Sequence, residues 1–231
     1  MNEDVYEENE IPEGLIEVKD RLLRLLSETK LRPGESILVC VFLWDGTLRV
    51  DLEGVTGYRM NLHVEFFIKS LEDVEQAIHV VNKLGVDVYG LETERVPYNE
   101  WDLDLTDESL ILERIRSVIK DIRAEISEQV TKQIPQEHQE LLKEGFITLG
   151  GTVTLYALVE VSGRKYMIYH FPPLDDAELA APVFCRVVKR TGGKVLGFGV
   201  LRFKKYVVEN VEIKQYCRGQ VGIVVTVRGS E

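Results

Sequence analysis

Leu15, Val18, Leu22, Leu25 and Leu26 recur at steps of three and four residues, the spacing that gathers side chains on one face of a helix. The run predicts a helix over residues 12–30. Pro12 can open it because the first helical N–H has no partner, and Pro33-Gly34 stops it. Residues 36–44 are almost all apolar, which predicts a strand buried on both faces. Asp45-Gly46 reads as a type I′ hairpin turn into a return strand over 47–52. Gly54 and Gly57 then mark a further turn before a strand over 61–69. Ser70 starts a capping-box-like Ser-Leu-Glu-Asp, followed by Val74, Ala77, Ile78, Val81 and Leu84 at helical spacing and a stop at Gly85. A strand over 86–91 follows.

Residues 92–105 predict an irregular acidic connector containing Pro97, Tyr98 and Trp101. Thr106 can cap a long helix with the stripe Ile111, Ile115, Val118, Ile122, Ile126 and Val130. Pro135 ends or kinks it, and a short helix reaches Gly145. Gly150-Gly151 opens the last third. There the pattern predicts strands over 152–161 and 165–171 around a Ser162-Gly163 turn, then a helix over 174–190 stopped by Gly192-Gly193. Strands over 194–203, 207–216 and 221–228 complete the chain.

Two segments resemble each other. Residues 71–84 read LEDVEQAIHVVNKL and residues 174–187 read LDDAELAAPVFCRV, with five identities at a constant offset of 103. Each follows a strand and precedes a glycine-punctuated one. Composition explains part of the match, since carboxylates favour the positive N-terminus of any helix. Read as a repeat, the pattern gives an α+β fold of two ββαβ-like units, 1–105 and 146–231. A helical connector, 106–145, joins them, its long helix bridging two small sheets.

Charge sharpens the picture. The chain of 231 residues has a net charge of −11, but residues 1–105 carry −13, residues 106–145 carry −3 and residues 146–231 carry +5. Such a balance opposes non-selective attachment of the whole molecule to nucleic acid or anionic membrane. Cys40, Cys185 and Cys217 lack any metal-knuckle spacing and suit buried thiols in a reducing compartment. The acidic start contains no apolar signal core, and no apolar run is long enough to span a bilayer. The expectation is a cytoplasmic protein without membrane contact.

Chemical motifs are sparse. The sequence contains no G-x-S-x-G elbow, C-x-x-C, H-x-x-x-H, EF-hand loop or phosphate-binding glycine loop. No catalytic residue, metal or cofactor is therefore assigned. His63, His79 and His138 lie in ordinary periodic or polar stretches, and His170, ending a strand before Pro172-Pro173, is the residue an enzyme reading would use. The acidic run Glu100, Asp102, Asp104, Asp107, Glu108 reads as a solvated approach to a helix start.

The strongest binding signal lies between Glu178 and Glu209, where no acidic residue occurs but Arg186, Lys189, Arg190, Lys194, Arg202, Lys204 and Lys205 all do. Phe198, Phe203 and Tyr206 are interleaved with them. An acidic protein surface would suit these cations. So would single-stranded nucleic acid, held by phosphate pairing and base stacking. Trp101, between Glu100 and Asp102, adds an aromatic anchor for a protein partner. The sequence thus reads as a non-enzymatic binding protein, a homodimer or a subunit, meeting an acidic partner surface through its basic C-terminal unit. A nucleic-acid-associated factor and an enzyme with a site between the units are the alternatives, and a small-molecule ligand is left open.

Overall fold

The computed structural model describes residues 12–48, 58–85, 87–97, 105–136, 146–203, 205–215 and 221–230. In β1 (Glu35–Leu48) the side chains Ile37, Val39, Val41 and Leu43 are buried, while Leu38, Cys40 and Phe42 on the opposite face are half-buried. Both edges of β1 are also paired, antiparallel to β2 (Tyr58–Ile68) and to β3 (Asp87–Pro97). Its near-continuous apolar sequence therefore belongs to a central strand. The Asp45-Gly46 turn is a correction: β1 runs through it, Asp45 pairing with Met60 and Leu48 with Tyr58 across a register slip. Paired neighbours hold the chain extended there, and the dipeptide marks a bulge instead. The connection to β2 lies in residues 49–57, outside the described residues.

The fold is mixed α+β. β3-β1-β2 continues directly into β6-β5-β7, where β5 is Thr154–Val161, β6 is Arg164–His170 and β7 is Lys194–Leu201, making one six-stranded antiparallel sheet. Each half runs strand, strand, helix, strand, and each places its third strand beside its first. Each half also has a register irregularity there, opposite Gly90 at Phe42/Leu43 and opposite Gly197 at Leu158/Val159. The halves meet where β2 pairs with β6, from Leu62↔His170 to Glu65↔Met167. The expectation of one small sheet per unit, bridged by the long helix, is thus replaced by a shared sheet. The reason is that β2 and β6 leave matching unpaired edges that satisfy each other's backbone groups.

Helices cover one face of this sheet. The residues α1 (Glu13–Glu28), α2 (Leu71–Leu84), α3 (Glu108–Gln133) and α4 (Ala177–Lys189) bury form one core with Val64, Phe66, Ile168, Ala157 and Phe198. α2 begins at Ser70, whose Oγ accepts from Asp73 N, and ends at left-handed Gly85. Asp73 Oδ2 also accepts from Lys69 N at 3.0 Å, one residue before the cap. Asp107, not Thr106, precedes α3. Thr106 instead forms a bridge to Phe198 on the outer edge of β7, and its Oγ1 accepts from Arg114 at 2.6 Å. α3 and α4 lie antiparallel, stitched by Lys189–Glu108 at 2.6 Å, Arg116–Glu178 at 2.9 Å and Arg123–Asp175 at 2.7 Å. A second sheet, β4 (Phe146–Gly150), β9 (Val221–Ser230) and β8 (Lys205–Gln215), packs on α3. Among the described residues no helix is long and apolar enough to cross a membrane.

Candidate functional site

The sheet's other face carries no described helix, and its centre is the seam between β2 and β6. Alternation along the strands puts His63, Glu65 and Phe67 of β2 and Met167 and Tyr169 of β6 on this face. Phe42 and Phe171 flank His63 edge-on, with ring centroids 4.2 and 4.8 Å away. Tyr169 stacks on Phe171 at 6.4 Å and donates its hydroxyl to Glu65 Oε2 at 3.1 Å. Cys40 lies directly opposite Glu65 on β1. Burial raises the Glu65 pKa, and the Tyr169 bond only partly offsets this. Burial and the neighbouring Glu65 carboxylate likewise raise Tyr169.

Glycines shape the rim on β7. A Cβ on Gly199 would lie 1.9 Å from Tyr156 Cζ, and one on Gly197 would lie 2.5 Å from Leu105 Cβ. The two glycines therefore let Tyr156 and Leu105 lie flat on the edge strand. Tyr156, Leu158 and Met167 form a small core of their own on this face, with Leu105, Tyr169 and Leu196 against it.

The predicted cations fall into two groups. Arg186, Lys189 and Arg190 sit at the C-terminal end of α4, next to Lys194 at the start of β7. Arg202 and Lys205 lie beyond the far end of β7, on the order of 25 Å away at the usual strand rise. Lys189 pairs with Glu108, which raises its pKa, and Arg202 lies 3.9 Å from Asp121. Lys194 stands opposite Glu160 in the ladder. Arg190 Nη1 lies 3.7 Å from where a Gly85 Cβ would be, over the end of α2. Arg186 and Lys205 are exposed. Lys204 and Trp101 lie outside the described residues.

His170 is a core residue. It is buried, and its Nδ1 donates to the Asn61 carbonyl at 2.9 Å. Burial lowers its pKa to about 4, so the ring is neutral at physiological pH. Cys185 is equally enclosed, its thiol pushed up to about 12 by burial. Cys217 lies outside the described residues. Comparison with protein-family models, with curated proteins and with solved structures returns no match. Function must be read from this geometry. The alternation of β2 could have shown that His63 and Glu65 share a face, but Tyr169 and Phe171 join them only through pairing about a hundred residues away in sequence, which leaves no local signal.

Proposed function

We propose that this chain is a non-enzymatic interaction protein whose partner is a second copy of itself, docked face to face through the side of the six-stranded sheet that carries no described helix. The supporting observation is that one sheet spans both halves. The strands of the acidic half, β1 to β3, therefore lie side by side with those of the basic half, β5 to β7. A two-fold axis parallel to the strands sets the acidic half of each copy over the basic half of the other. The acidic surface that suits the basic unit is then supplied by the same protein.

The half-buried Phe42, His63, Tyr169 and Phe171 supply the apolar centre of such an interface, the kind of residue that dominates interface energetics. Sedimentation equilibrium tests the proposal. The expectation is a dimer with a dissociation constant on the order of micromolar, weakened about tenfold or more when salt rises from ~20 to ~500 mM, and abolished by Phe171→Asp. A monomer up to about 200 µM, well above that constant, or a dimer indifferent to Phe171→Asp, would overturn it.

A further inference from the structure

At one end of the seam lies a cleft of about 330 Å³, lined by Phe67, Lys69, Asp73, Ser162, Gly163, Arg164 and Lys165. Its volume is that of a small-molecule site, and both halves build it: α2 and β2 from the first, the β5–β6 hairpin from the second. That hairpin turns through Ser162 and Gly163, with φ of 51° and 76°, the two positive values of a type I′ turn. The tight turn brings Arg164 and Lys165 to the cleft wall.

The cations here play different parts. Arg164 is engaged through all three of its guanidinium nitrogens. Its Nε donates to Asp73 Oδ1 at 2.5 Å, its Nη2 pairs with Glu72 at 3.2 Å, and its Nη1 reaches the Ser162 carbonyl at 3.4 Å. Burial would raise the Asp73 pKa, but Arg164, Ser70 and the Lys69 amide outweigh it and hold the carboxyl low. Arg164 offsets one of these two carboxylate charges, and with Lys69 and Lys165 the cleft has three cations against two carboxylates, an excess of one positive charge. The Ser70 hydroxyl and the Lys69 amide serve Asp73 as well. Lys69 and Lys165 remain, with Phe67 in the same lining. Neither lysine lacks a neighbour in the fold, but each ammonium carries three donors and can serve a ligand too.

We propose that this cleft binds a phosphate monoester, the dianion between Lys69 and Lys165 and the organic group against Phe67. Two ammonium groups match a dianionic phosphate as point charges, whereas a carboxylate is best met by a guanidinium fork, and the Arg164 fork is already occupied. Titration of the full chain with phenyl phosphate, inorganic phosphate and benzoate, read by amide chemical shifts at 162–165 and 69, tests this. Phenyl phosphate is expected to saturate in the millimolar range, inorganic phosphate several-fold more weakly, and benzoate weakest.

Lys69→Gln/Lys165→Gln should weaken phenyl phosphate about tenfold or more, the loss of two charge-assisted contacts, with each single variant intermediate. Lys205→Gln, beyond the far end of β7, should leave it unchanged. No saturation by phenyl phosphate at about 20 mM, well above a millimolar constant, benzoate as tight as phenyl phosphate, or equal weakening by Lys205→Gln would overturn the proposal. Phe171→Asp, which tests self-association, lies outside the cleft lining, and the same titration on that variant keeps the cleft uncovered, so the two proposals fail separately.

Discussion

His170 and Asp73 show how burial and bonding decide what a titratable residue does. His170 loses water and gains one carbonyl, so its charged form is disfavoured in the folded state. Its folded pKa lies below the unfolded value, so the unfolded chain binds the proton first as pH falls. Stability is full above pH ~6.5 and should fall by about 3 kcal/mol as pH drops towards ~4. Urea unfolding across that window should show the loss, and His170→Gln should flatten most of it; parallel curves for the two proteins would refute the assignment. Asp73 works in the opposite direction. Its carboxylate is held by Arg164 and by its own helix cap, so its contribution persists above the ordinary carboxylate range and is lost only at lower pH. The two effects therefore occupy different pH windows.

Among the elements, β7 shows that a glycine can be dictated by a neighbour rather than by its own backbone. Gly199 lies in a regular strand, yet the Tyr156 ring occupies the space of its missing side chain. Gly199→Ala should therefore cost about 2–3 kcal/mol through overpacking. Gly14 is a useful contrast: it sits in the first turn of α1, and nothing lies within 4 Å of the point an added methyl group would occupy. Gly14→Ala should raise stability by about 0.5–1 kcal/mol, because alanine restricts the unfolded chain and suits a helix better. Denaturant midpoints of the two variants should move in opposite directions, and a common shift would show that the local account is wrong.

For the molecule as a whole, the β2–β6 pairing is decisive. It makes the core of one half continuous with that of the other, and Arg164 of the second half anchors on Asp73 of the first. The halves should therefore unfold together. Native-state hydrogen exchange is expected to give the amides of Val39 and Ala157, one from each central strand, the same opening free energy, equal to the global value. Two values, or two resolved melting transitions, would mean that the halves are independent.

Periodicity and punctuation were enough to place α1 to α4, because Leu15/Val18/Leu22 or Ile111/Ile115/Val118 specify a face without reference to anything distant, while the short helix expected up to Gly145 lies outside the described residues. The Ser70 cap, the Gly85 stop and the Ser162-Gly163 turn were legible for the same reason. The repeated order of strand, strand, helix, strand could also be read along the chain. Asp45-Gly46 misled because a turn dipeptide is overridden when a neighbouring strand pairs along it, as β2 does from Asp45 to Leu48. Strand order lay beyond sequence reasoning, since pairing partners are chosen by edges that only the folded chain brings together. Tertiary structure therefore decided that the two units share a sheet, that the cations divide between its ends, and that His63, Glu65, Tyr169 and Phe171 meet on one face.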